Sequence, residues 1–160
     1  MPNPKGVLVN DKVWRKLKRK LKRAEGSHVK VGVLASKGGK QKAEKGSISL
    51  VELAAIHEFG SPAAGIPERS FLRAPLRGDN RTISALMKKL AKAVVDGRLT
   101  HKKALEILGQ AGVSEVNKYV RQGANLKPLK PATIARKKSS RPLIDTGRML
   151  QAVSYEVSDG

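Results

Sequence analysis

Apolar positions recur along this chain with two different periods, and the changes of period divide it into elements. Val7-Leu8-Val9 is a short apolar run ended by Asn10-Asp11, residue types that accept the free amides of a helix start, so a short strand and then a helix are predicted. Val13, Trp14, Leu17, Leu21 and Ala24 fall on one helical stripe, and Gly26 stands where such a helix stops. From His28 to Leu34 a valine occupies every second position, the pattern of a half-buried strand. Residues 36–46 have no apolar period and hold three glycines, which predicts a flexible loop over 35–47.

Ser49-Leu50-Val51-Glu52 has the spacing of a capping box, in which the serine and glutamate side chains each satisfy a backbone amide at the helix start. Leu50, Leu53, Ala54, Ile56 and His57 follow at helical spacing, and Gly60 ends that helix. Two prolines and Gly65 make 61–69 an ordered turn. Helical spacing returns with Ile83, Leu86, Met87, Leu90 and Val94, and again after Thr100 with Leu105, Leu108, Val116, Tyr119 and Val120, so 80–123 is a helical segment within the domain. Gly109 and Gly112 interrupt the second helix at a cost of ~1 kcal/mol each relative to Ala, which predicts close packing or a kink there. Asp145 or Thr146 is expected to cap a short helix through Leu150, and Val153, Tyr155 and Val157 alternate as a closing strand. The order β-α-β, a helical middle, then α-β predicts a single α+β domain over 1–160, with a small antiparallel sheet packed against helices.

Composition narrows the function. The chain has 160 residues, no cysteine, one Trp, two Tyr and two Phe, so its core is aliphatic and it offers neither disulfides nor thiolate metal sites. Met1–Gly6 lacks a hydrophobic signal core and no run is long enough to span a bilayer, so synthesis in the cytoplasm and no membrane role are expected. Lys and Arg number 33 against 13 Asp and Glu, a formal net charge of +20 that implies an anionic partner. Eight of the cations lie between Lys12 and Arg23, with no acid among them: Lys12, Arg15, Lys16, Lys18, Arg19, Lys20, Lys22 and Arg23. They are candidates for facing DNA or a protein partner; the competing reading is a solvated face whose aliphatic stems cover apolar surface. Of the sequence, Gly38-Gly39-Lys40 is not a phosphate loop, lacking the earlier glycine and the following Ser or Thr.

Catalytic patterns are not seen. His57 and Glu58 are helix neighbours that do not face one another, no second histidine stands four residues on, and no Gly-x-Ser-x-Gly elbow occurs. No metal site, cofactor or enzymatic activity is therefore expected.

Two segments say more as wholes. Ile56-His57-Glu58-Phe59-Gly60, followed by Ile66-Pro67-Glu68-Arg69-Ser70-Phe71-Leu72, and later Leu143-Ile144-Asp145-Thr146-Gly147-Arg148-Met149-Leu150, resemble in that order the neck and tail-completion proteins of tailed bacteriophages, of the phage Mu virion-morphogenesis type. Ser70 departs from that family's usual proline and is expected to loosen the turn before Phe71. Physically, Phe59 and Phe71 read as paired anchors brought together by the reversal at Gly60. Arg69 reads as a tie to a carbonyl or carboxylate, with Glu58 a candidate. Asp145 and Thr146 read as helix caps, Leu143, Ile144 and Leu150 as core contacts, and Gly147 as a point of close approach. Either both motifs only hold the fold, or the exposed parts of Ser61–Pro67 also meet a neighbouring subunit.

The resemblance implies a structural virion protein at the neck or tail junction, made in the host cytoplasm. It would form a homo-oligomeric ring of six or twelve around the DNA channel, between head-closure or portal-side proteins and tail-terminator-side proteins. About 40 Å of such a channel exposes ~24 phosphates, far fewer than the charge of six subunits at +20, so contact with the genome is expected to be weak and salt-sensitive. The alternative is a free, sequence-independent nucleic-acid-binding protein using the Lys12–Arg23 and Lys127–Arg141 regions.

Overall fold

The structure, a computed structural model, describes residues 11–37, 40–41, 48–77, 80–123, 126–128, 131, 134–135 and 147–158; within 11–24 the side chains of Asp11, Val13, Leu17, Leu21, Arg23 and Ala24 are not part of that description. The predicted strand Val7–Val9 and the motif residues Leu143, Ile144, Asp145 and Thr146 lie outside the described residues.

The chain is an α+β fold. In chain order it runs α1 (Asp11–Ala24), β1 (His28–Val33), α2 (Leu50–Phe59), α3 (Arg73–Leu76), α4 (Arg81–Val95), α5 (His101–Gln122), α6 (Arg148–Gln151) and β2 (Val153–Ser158). Strands β1 and β2 form an antiparallel ribbon in which His28 lies opposite Ser158 and Val33 opposite Val153. This register sets Val29, Val31 and Val33 directly across from Val157, Tyr155 and Val153, so the alternating apolar residues of both strands share one face.

Helix α5 covers that face, and its two interior glycines explain how. A Cβ on Gly112 would lie 3.0 Å from Val31 Cγ2, and one on Gly109 would lie 2.6 Å from Tyr155 Cγ, so glycine is what lets the helix approach the sheet this closely. The helix runs unbroken for 22 residues, and of close packing and a kink it is packing that accounts for the glycines. Its buried line is Ala104, Gly109, Gly112, Val116 and Val120.

The core gathers Val33, Leu50, Ala54, Phe71, Val116, Val120, Leu126, Met149 and Val153, with Phe71, Val116 and Val120 its largest fully buried side chains. In α6 the deeply buried residue is Met149, with Leu150 packed beside it at the core edge. Gly147 precedes α6 with φ +75°, a left-handed backbone conformation that favours glycine.

Helix α4 begins at Asn80, whose side chain accepts from the amides of Thr82 at 3.0 Å and Ile83 at 3.1 Å. It packs along α5 through buried Leu90 and half-buried Ile83, Leu86 and Val94, and leaves Met87 exposed. Lys20 of α1 donates to the carbonyls of Val94 and Val95, each at 3.2 Å, placing a cation at the negative end of α4. The expected flexible loop starts with order: Ala35–Lys37 form a 3-10 turn, and Ser36 donates from Oγ to Glu156 Oε2 at 2.6 Å.

Candidate functional site

The first family-like motif folds into one closed unit at the end of α2. The helix starts with the predicted capping box: the Glu52 amide donates to Ser49 Oγ at 3.2 Å and the Ser49 amide to Glu52 Oε2 at 2.7 Å. From that start Leu50, Ala54 and Glu58 recur every fourth residue, and all three are buried. A carboxylate so placed needs partners, since an unpaired buried charge is strongly unfavourable.

Glu58 has them. It accepts from Ser70 Oγ at 2.8 Å, from the Leu72 amide at 2.8 Å, from the Arg73 amide at 3.1 Å and from Arg73 Nε at 2.8 Å. Burial pushes its pKa up, but the amide and hydroxyl hydrogen bonds and the Arg73 guanidinium outweigh it and hold the carboxyl below its ordinary value. The carboxylate thereby closes the chain reversal and satisfies amides at the start of α3. Arg73 bridges onward to Glu68 at 2.8 Å.

Between these points the chain turns tightly. Gly60 has φ +77°, and a Cβ there would meet the Glu68 amide nitrogen at 2.8 Å and the Ile66 carbonyl at 3.0 Å, so no side chain fits. The Ser61 amide donates to the Ile66 carbonyl at 2.8 Å and the Ile66 amide returns a bond to Ser61 at 2.9 Å, closing a six-residue loop around Pro62-Ala63-Ala64-Gly65. Pro67 is half-buried on the return. The Arg69 amide then donates to the His57 carbonyl at 2.8 Å, tying the return strand to α2.

Several sequence expectations are corrected here. Phe59 and Phe71 are not paired anchors: Phe71 is fully buried, whereas Phe59 is 63% exposed. The Arg73 guanidinium lies 4.7 Å from the Phe59 ring centroid and holds the ring outward by a cation–π contact. Glu58 is the partner of Arg73, not of Arg69. Arg69 is buried and takes the carbonyl alternative of its expected role, donating from Nε to the Lys127 carbonyl at 2.8 Å and from Nη2 to the Pro128 carbonyl at 3.1 Å. Burial pushes its pKa down, and two carbonyls aligned on its planar fork offset the lost water. Ser70 does not loosen its turn; its hydroxyl is one of the Glu58 donors. Leu72 packs against the core and reaches Gly32 on the sheet face opposite α5.

Arg73 and the Lys127–Pro128 carbonyls are the site members that sequence reasoning missed. A signal for the buried carboxylate existed in the four-residue repeat Leu50-Ala54-Glu58, which places position 58 on the inward line of α2.

Of the candidate basic residues, Arg15, Lys16, Lys18, Arg19 and Lys22 are exposed on α1, the Lys18 ammonium lying 5.1 Å from the Trp14 ring. Lys20 is not outward-facing; it is spent on the α4 carbonyls. The Arg23 side chain lies outside the described residues.

Among the described residues no three His, Asp or Glu side chains gather as metal ligands, and no helix is long and apolar enough to cross a membrane. A shallow groove of about 620 Å³ between α5 and β2 is lined by Glu106, Glu156 and Lys37 beside Val113 and Tyr155. Its carboxylates are engaged, Glu106 by Lys103 at 3.0 Å and Glu156 by Ser36. Comparison with known proteins yields no matching family model, no similar curated protein and no similar solved structure.

Proposed function

We propose that this chain is a non-catalytic building block of a tailed-phage neck or tail junction, assembling as a closed ring around the DNA channel. The observation that carries the reading is the state of Phe59. Residues 57–73 invest a buried, four-fold bonded carboxylate, a paired loop and an arginine clamp in a motif whose aromatic points into solvent. An exposed aromatic in contact with Arg73, followed in the chain by the exposed Pro62, Ala63 and Ala64, suits an interface anchor. The resemblance of the two motifs to phage neck proteins supplies the kind of assembly.

A ring also needs a second, different surface on each subunit, because closed cyclic assemblies use heterologous contacts. Among the described residues β1 and β2 pair only with each other, and an edge of that ribbon is the second surface this reading assigns. A single domain of this length has a radius of gyration near ~15 Å and cannot encircle a duplex alone, so the reading requires oligomers. In this role head-side and tail-side virion proteins are the partners.

Light scattering of the purified protein, without nucleic acid, tests the reading. A closed oligomer that Phe59→Ser shifts toward monomer, with the fold retained by circular dichroism, is the expected result. A monomer at every concentration, alone and with its virion neighbours, would overturn it.

A further inference from the structure

Folding gathers positive charge in a way the linear sequence hides. Helices α1 and α4 lie far apart in the chain, yet Lys20 joins the first to the C-terminal carbonyls of the second. Together they hold twelve Lys and Arg and a single acid, Asp11. Glu25 follows α1 directly and is exposed, while the other carboxylates of the described residues lie elsewhere apart from Asp96: Glu52, Glu58 and Glu68 around α2, Glu106 and Glu115 on α5, Glu156 on β2. Asp96, just past α4, is neutralised by Arg98 at 2.7 Å and Lys92 at 3.7 Å. A helical period places Lys18 and Lys22 opposite Lys20 on α1 and Arg19 on its flank, and all three are exposed. On α4, Arg81, Lys88 and Lys89 are exposed as well.

We propose that α1 and α4 form one binding lobe for the phosphate backbone of duplex DNA, read without regard to base sequence. Charge density favours this ligand. A 14-residue helix is about 21 Å long, the length over which a duplex presents ~12 phosphates, and the two helices offer a comparable number of cations. A lipid surface fits less well, since Lys18 covers the ring of Trp14, the exposed bulky apolar residue among the described side chains of α1. Base reading is not expected from Lys and Arg heads on long flexible stems, which follow phosphates and not base edges. The lobe does not rest on the ring: a monomer that binds DNA would keep the lobe and remove the ring, and a ring indifferent to DNA would do the reverse.

The test is titration of a fluorescent 20-base-pair duplex of mixed sequence with the full chain at salt from 50 to 200 mM. Six or more phosphate contacts predict a loss of affinity of roughly a thousandfold over that range. Lys18→Gln/Arg19→Gln/Lys22→Gln and Arg81→Gln/Lys88→Gln/Lys89→Gln should each weaken binding and reduce the logarithmic salt slope by up to about 2.7. The control Lys30→Gln/Lys118→Gln/Arg121→Gln removes the same charge from β1 and α5 and should leave the slope within one unit of the parent. The proposal is overturned if the control weakens binding as much as the lobe variants, if the α4 variant behaves as the parent, or if vesicles of phosphatidylglycerol compete as well as duplex at equal phosphate.

Discussion

Adjacent residues Glu58 and Phe59 should respond to truncation in the opposite order from their hydrophobicity. In Glu58→Ala the carboxylate is removed while the Leu72 amide, the Arg73 amide, the Ser70 hydroxyl and the Arg73 guanidinium keep their positions. Each donor left without its acceptor in a partly buried site costs ~1–3 kcal/mol; the two amides and the Ser70 hydroxyl are left so while the half-exposed Arg73 turns to water, so a loss of ~3–5 kcal/mol is expected. Glu58→Gln retains one acceptor oxygen and should cost roughly half of that, in the range of a single hydrogen bond to a charged group, ~1.5–3 kcal/mol. Phe59→Ala removes an exposed ring and one exposed cation–π contact, for ~0.5–1 kcal/mol. Urea unfolding at pH 7, with midpoints compared at constant slope, measures all three. Phe59→Ala costing more than Glu58→Ala would refute the inward carboxylate and outward aromatic.

The same carboxylate sets a pH dependence of known sign. Its folded pKa lies below the unfolded value, so its contribution is fully present above the unfolded carboxylate range near ~4.3 and is lost as pH falls through the folded value. Relative to the parent, Glu58→Gln should therefore show a flatter loss of stability below pH ~4.3, and a parallel loss would contradict the bonding at Glu58. Gly109→Ala, which in an exposed helix would stabilise by ~1 kcal/mol, should instead destabilise by ~1–3 kcal/mol, because the new methyl meets the root of the Tyr155 side chain and not its free end. A raised melting temperature would show that α5 stands further from β2. Arg69→Lys, which keeps the charge but loses the fork onto Lys127 and Pro128, should cost ~1–3 kcal/mol by the same urea measurement.

Local chemistry made much of the fold legible. The capping box at Ser49, the valine alternation of β1 and the apolar alternation of β2 depend on neighbours in sequence, and each stands where its pattern lies. The glycines at 109 and 112 were legible as a departure from good helix-forming residues, but their purpose depends on Val31 and Tyr155, which no local pattern names. The site was harder to read for the same reason. Hydrophobicity assigns Phe59 inward and Glu58 outward, and only the donors delivered by 70–73 reverse that order. Choosing between Arg69 and Arg73 as the partner of Glu58 depended on the path of the turn after Gly60. The basic lobe was invisible because its two helices are joined through Lys20, a residue that the charge run alone makes indistinguishable from its neighbours.

The proposed ring at a phage neck is tested most directly by imaging intact virions from a phage that encodes this chain and tracing it in the density. Copies arranged as a closed ring between head and tail, with Phe59 of each copy buried against its neighbour, are the predicted result. Particles that contain no copy of this polypeptide, or that hold it anywhere other than the head–tail axis, would contradict it.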